Sequence, residues 1–178
     1  PNLHEAEALL GRKLASPADV EAGAAELLGT GCGSVLIKGG HSVKGDDDEA
    51  SQDYWTDGTS SWWLSTPRVP TIHTHGTGCT LSSAIATAMA HGYAALDAVV
   101  IGKAYVTQGI KQAVGYGAGP GPVAHTSWPR SAEHMPSILP FPHTPTDNGA
   151  AGFPRTEVAR LREATAKRVQ RSQREMLS

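Results

Sequence analysis

Between Ser16 and Lys38 a helical pattern, a short glycine-rich turn and an unbroken apolar run follow one another, and that succession restricts the fold more than any other feature of the chain. Ser16 and Pro17 supply an N-cap and a first-position proline. Val20, Ala24, Leu27 and Leu28 recur at helical spacing, which predicts a helix over 17–28 that stops at Gly29 or Gly31. Ser34-Val-Leu-Ile-Lys38 has no polar break before its lysine, as expected of a strand covered on both faces. Helix, turn and buried strand is the cadence of an α/β sheet, so the expected fold class is α/β.

The flanking segments extend this pattern. Leu3, Ala6, Leu9 and Leu10 predict a short helix ending near Gly11. Residues 39–51 form a polar loop. Its acid run, Asp46 to Glu49, lacks the glycine-punctuated spacing of a calcium loop and reads as a solvated tip. Asp57-Gly58, between strand-like stretches 53–56 and 59–65, reads as a hairpin with a type I′ turn. Trp62 and Trp63 must then point to opposite faces, one into the core and one over an edge. Helices are expected over 80–90 and 95–114, the second closed by the glycine-proline run 115–122. Residues 128–154 are rich in Pro, Ser, Thr and Gly without periodicity and read as an irregular linker. A charged helix over 156–176, with a thin apolar stripe, reads as a solvated terminal helix.

Composition narrows the function classes. At 178 residues the chain can build one ordinary domain and its core. A net charge of −2 gives no basic surface for nucleic acid or an anionic membrane. No apolar run is long enough to span a bilayer. The two cysteines, Cys32 and Cys79, occur without a secretory pattern, which suits a reducing cytoplasmic compartment better than a disulfide. Cys32, set between Gly31 and Gly33, reads as a small packing residue.

One segment carries chemistry. Gly76, Thr77, Gly78 and Cys79 open the helix expected from Thr80. Glycines permit backbone turns that other residues resist and clear space for a ligand. The unpaired N–H groups and positive dipole end of a helix suit a phosphate, or the charge spread over a transferring phosphoryl group. Phosphoryl transfer further needs a group to accept the nucleophile's proton. The start of a helix favours the thiolate form of a cysteine, so a base at Cys79 fits that role. On spacing alone the pattern is a weak fingerprint, because glycine turns before helices are common. A Cys-His hydrolase, with Cys79 as nucleophile and His73 or His75 as base, is a second reading. It ranks lower because no third, orienting group is identifiable.

The stretch Thr74-His-Gly-Thr-Gly-Cys-Thr-Leu-Ser82 resembles the signature of hydroxymethylpyrimidine/phosphomethylpyrimidine kinases of thiamine biosynthesis, in the ribokinase-like superfamily. Three other stretches agree in order. Pro1-Asn-Leu-His-Glu-Ala6 resembles the family's Asn-x-x-Glu motif, Val35-Leu-Ile-Lys-Gly-Gly-His41 its Lys-Gly-Gly-His strand end, and Gly119-Pro-Gly-Pro-Val-Ala-His125 its Gly-Pro-Val-x-His close. The resemblance covers 1–128 and matches the C-terminal half of that kinase domain. It implies a partial doubly wound sheet with helices on both faces, ATP and Mg²⁺ as cofactors, and hydroxymethylpyrimidine or its phosphate as substrate.

Residue by residue, the resemblance implies Asn2 near the nucleotide phosphates and Glu5 near magnesium through water, as suits an ion that keeps its hydration shell. The plainer reading of Glu5 is a first-turn helix acid. Lys38 ends its strand where open α/β sheets bind ligands, and the family places it at the nucleotide site. Lys103 lies in a stretch like one that faces ATP in the family, although pattern alone makes it a surface lysine. Gly76, Thr77 and Gly78 would form the anion hole, with Cys79 the base that deprotonates the hydroxymethyl group. Many ribokinase-type enzymes hold an aspartate there, and the cysteine favours pyrimidine kinases. His41 and His75 are assigned no role.

The chain begins at Pro1 rather than Met, so a fragment or processed product is expected. As the C-terminal half, it would lack much of the pyrimidine pocket and be inactive alone, and its exposed sheet edges would favour a homo-oligomer. Two alternatives stand beside the leading one: a pyridoxal or pyridoxine kinase of the same fold, and a non-catalytic nucleotide-binding or interaction fragment.

Overall fold

A computed structural model describes residues 1–39, 50–125 and 136–140. These hold α1 (Leu3–Leu10), α2 (Pro17–Leu28), β1 (Val35–Gly39), β2 (Ala50–Thr56), β3 (Ser61–Pro67), α3 (Thr77–Ala90), α4 (Ala95–Lys111) and β4 (Ser137–Leu139). The chain divides into two compact units. Among the described residues one unit contains α1, α2 and the four strands, and the other contains α3 and α4.

The first two helices have the expected bounds because both ends carry caps. Asn2 and Glu5 form a capping box on α1, which closes on Gly11 in the left-handed region at φ 66°. Ser16 and Asp19 form the same box on α2, with Pro17 just inside it. The Ser16 hydroxyl and two backbone N–H groups donate to the Asp19 carboxylate. The Ser16 hydroxyl, first among these, holds the Asp19 carboxyl below its ordinary pKa. Its stabilising effect is therefore present above the unfolded-state value, about 3.9, and is lost as the pH falls through the lower folded value. Replacing Ser16 with alanine is expected to destabilise the unit by about 1 kcal/mol. A denaturant midpoint equal to that of the parent chain would remove the cap from the account.

The strands pair antiparallel in the order β1-β2-β3-β4. Asn2 adds a single parallel bridge to Lys38, so β1 has neighbours of both kinds. Register aligns Ile37, Tyr54, Trp63 and Leu139 in one row across all four strands. That row packs with Leu3, Ala6, Leu14, Val20 and Ala24 as the core of the unit. Tyr54 and Trp63 meet with ring centroids 5.0 Å apart, and the Trp63 indole donates to Glu21 Oε1 at 2.9 Å. Trp63 is thus the core tryptophan, while Trp62 on the opposite face is half-buried. That second face, with Trp55, Leu64 and Ile138, is buried as well.

Several expectations need correction. The hairpin register pairs Thr56 with Ser61, leaving a four-residue loop, 57–60, rather than a two-residue type I′ turn. A type I′ turn requires positive φ at both central residues, and only Gly58 has it. The Asp57 carboxylate instead accepts the N–H groups of Thr59 and Ser60 and closes the wider loop. Helix α3 starts three residues before Thr80, and α4 ends at Lys111, short of Val114. Within the stretch read as irregular, Ser137–Leu139 forms the fourth strand, too short to show a period. Cys32 is exposed instead of packed, its thiol within reach of the Leu27 carbonyl at 3.5 Å. His41, the acid run 46–49 and the terminal helix over 156–176 fall outside the described residues.

Candidate active site

The expected site residues fall in both units. In the first, Asn2 and Lys38 meet through their backbones: they form the parallel bridge, and the Lys38 N–H donates to the Pro1 carbonyl at 2.9 Å. Asn2 Oδ1 accepts the Glu5 N–H at 2.8 Å, and Glu5 Oε2 accepts the Asn2 N–H at 2.6 Å. That backbone donor, followed by the charge of Lys38, holds the Glu5 carboxyl below its ordinary pKa. The plain helix-cap role of Glu5 is therefore realised. The side chain is exposed and ionised, with one oxygen outside the capping box.

Pattern marks Asp53 only as the start of a strand, yet it belongs to this corner. It lies opposite Lys38 in register, is 5% exposed, and accepts the Gly39 N–H at 3.0 Å through Oδ1. Gly39 has no room for a side chain, because a Cβ there would collide with the Gln52 carbonyl. A buried carboxylate closing the end of β1 leaves no periodic signature in the sequence. Its only cue is an acid where a strand should be apolar.

In the second unit, Gly76 is the N-cap of α3 and takes φ 85°, a conformation that disfavours a side chain. Thr77, Gly78 and Cys79 form the first helical turn. The Thr80 N–H donating to the Gly76 carbonyl, at 2.9 Å, opens the helical ladder. The N–H groups of Gly78 and Cys79 thus precede the ladder, where a helix presents open donors. Thr80 Oγ1 and Ser82 Oγ donate back to the Gly76 and Gly78 carbonyls, so these two hydroxyls are satisfied locally.

Cys79 is exposed at a cavity of about 710 Å³, lined also by His75, Gly76, Ile101, Tyr105 and His125. No Asp, Glu, Lys or Arg lines it, so the described charge complement for an anion there comes from the helix start. Helix α4 packs closely on α3 at Gly102, where a Cβ would meet Ile85 Cγ1 at 2.8 Å. Lys103 is 5% exposed, which corrects the surface-lysine reading. Helix α4 is buried around most of its circumference, so its polar positions are enclosed too. Among the described residues no group of three His, Cys, Asp or Glu could hold a metal. No described helix is long and apolar enough to cross a membrane.

The hydrolase reading finds no support. His73 Nδ1 accepts the Gly121 N–H at 2.9 Å, and among the described residues no hydrogen bond joins Cys79 to a histidine. A family model described as phosphomethylpyrimidine kinase matches residues 1–124. The chain belongs to the phosphomethylpyrimidine kinase family. The hydroxymethylpyrimidine/phosphomethylpyrimidine kinase of Streptomyces coelicolor is 43% identical over 125 residues, which are 70% of this chain and 45% of the relative. The enzyme of the same name from Synechococcus elongatus is 39% identical over 70% of this chain and 46% of its own length. The pyridoxal kinase of Staphylococcus aureus, solved in complex with AMP-PCP and pyridoxal, superposes with a TM-score of 0.68 at 34% identity, covering 76% of this chain and 50% of that one. The fold is accordingly α/β and ribokinase-like. The chain spans about half the length of the curated relatives it matches.

Proposed function

We propose that this chain supplies the phosphoryl-transfer half of an ATP-dependent kinase acting on hydroxymethylpyrimidine and then on its monophosphate, in thiamine biosynthesis. The observation that carries the reading is the first turn of α3, capped by left-handed Gly76 and bearing exposed Cys79 at a cavity. The Gly78 and Cys79 N–H groups receive the charge that spreads over the transferring phosphoryl group. The thiolate of Cys79 takes the hydroxyl proton as the substrate oxygen bonds to phosphorus, and ADP departs with the electrons of the broken bond. Lys38, Asn2 and Lys103 serve the nucleotide. Magnesium, when bound, neutralises phosphate charge. Exposed, ionised Glu5, with one oxygen in the cap, fits a contact through water rather than direct coordination. Two free, exposed thiols suit the reducing cytoplasm.

The pyridoxal reading draws on the Staphylococcus aureus structure, and the pyrimidine reading on the curated relatives. The test replaces the matched segment of the Streptomyces coelicolor kinase with residues 1–125 of this chain and measures turnover on both substrates. The expected chimera phosphorylates hydroxymethylpyrimidine well above pyridoxal. Preference for pyridoxal would install the second reading, and a folded chimera without turnover would leave a non-catalytic fragment. Within an active chimera, Lys38→Ala is expected to raise KM for ATP about tenfold or more with a smaller change in kcat, since a charge-assisted hydrogen bond contributes about 1.5–3 kcal/mol. An unchanged KM would remove Lys38 from the nucleotide site.

A further inference from the structure

The approach to the catalytic turn is held by a residue to which the function assigns nothing. His73 lies three residues before Gly76 and is half-buried. Its Nδ1 accepts the Gly121 N–H at 2.9 Å. Two backbone bonds continue the same seam: His75 N–H to the Gly121 carbonyl at 3.3 Å, and Val123 N–H to the His75 carbonyl at 3.0 Å. The glycines around the ring have no room for anything larger. A Cβ on Gly115 would stand 2.8 Å from His73 Cε1, and one on Gly121 would stand 3.0 Å from Nδ1 and collide with the Val114 carbonyl. Val123, at the far end of the seam, backs Gly76, the N-cap whose φ sets the first turn of α3.

We propose that His73 is the positioning residue of the catalytic turn, its neutral imidazole latching the chain that enters Gly76 onto the 121–123 segment. A donor N–H facing Nδ1 requires that nitrogen to be bare, so the ring is neutral with its proton on Nε2. An imidazolium has no acceptor and would face the Gly121 N–H with a second donor. The titratable side chains on the elements involved are His75 on the same loop, Tyr116 beside Gly115, and His125 after Val123. None of them accepts the Gly121 N–H.

The latch is tested in the 178-residue chain by amide hydrogen exchange at Gly121, which needs no catalytic activity. Protection of that amide is expected at neutral pH. His73→Ala should lose about tenfold of the protection. His73→Asn, whose carbonyl can accept the same N–H, should keep it. Gly121 exchange that is the same in parent and His73→Ala overturns the latch. Should His73→Ala fail to fold, His73→Phe, which keeps a ring but offers no acceptor, takes its place, with lost protection expected and retained protection overturning the latch. The positioning role rests on the kinase reading and is measured in the chimera. There His73→Ala should lower kcat about tenfold with KM for ATP little changed, and His73→Asn should restore it. Equal kcat in parent and His73→Ala overturns the positioning role. A parent chimera without turnover marks failure of the kinase reading instead, and the exchange result then stands for the latch by itself.

Discussion

Replacing Cys79 with alanine in a kinase carrying this segment is expected to cut kcat by about 100-fold or more, the usual yield of a positioned base, while ATP affinity changes less than about twofold. The asymmetry follows from where the thiol sits. Cys79 is third in the first turn of α3, so its backbone N–H stays in the proposed anion site whatever the side chain. Removing the sulfur takes away proton acceptance and leaves the donors that meet the phosphate. Truncating an exposed side chain also leaves stability within about 0.5 kcal/mol. A fall in kcat therefore cannot be attributed to unfolding, and the thermal midpoint checks this directly.

Two companion substitutions separate a base from a space-filling thiol. Cys79→Ser keeps the shape but offers a poor base at neutral pH, so it should resemble alanine. Cys79→Asp restores a proton acceptor and should recover part of the rate. Serine at full turnover, or alanine with kcat and KM both unchanged, would remove Cys79 from proton transfer and leave it a cavity residue.

Much of the first unit is legible in the sequence because its signals are local. Asn2 with Glu5 and Ser16 with Asp19 state where helices begin, and Gly11 states where one ends. Adjacent tryptophans must diverge in a strand, so one core and one outer position follow without knowing the fold. Beyond the β2-β3 hairpin, the order β1-β2-β3-β4 is not legible, since the other pairings depend on contacts that no local signal marks. Ser137–Leu139 joins only through its register with β3, where Leu139 completes the row at Trp63. Three residues without a period give no warning of that.

The site shows the same division. The glycines that precede Cys79 announce an irregular backbone, which sets the expected helix start too late. Only Gly76 is irregular; Thr77 and Gly78 are already helical, which brings Cys79 into the first turn. Lys103 looks like a surface residue because a lysine in an amphipathic pattern normally is one. Helix α4 lacks a solvent face over most of its length, and that depends on packing rather than spacing. Asp53 carries no mark in the sequence, and His73 is marked only as a candidate hydrolase base, for a related reason. Each acts by accepting one backbone N–H, from Gly39 and Gly121 respectively, and such partners are set by tertiary approach.

Gly109→Ala should lower the thermal midpoint of the chain by about 4–8 °C at this chain length. Helix propensity alone predicts the opposite, because alanine in place of a mid-helix glycine gains about 0.5–1 kcal/mol. Gly109 is buried in α4, and a Cβ there would stand 2.5 Å from Val123 Cγ2 and 2.6 Å from the Ala124 carbonyl oxygen. The valine methyl could rotate away, but the carbonyl belongs to the backbone. Relief requires the 123–124 segment to move off the helix, which breaks the bond from Ala124 N–H to the Gly109 carbonyl at 3.1 Å. Overpacking costs about 1–3 kcal/mol and the lost hydrogen bond about 1 kcal/mol, so after the helix gain the net is about 2 kcal/mol. The same displacement shifts Val123 from behind Gly76, so turnover of the chimera should fall together with stability, unlike the effect at Cys79. An unchanged or raised midpoint would mean that helix propensity outweighs the contact, and that the 121–124 segment does not lie against α4 as tightly as the geometry requires.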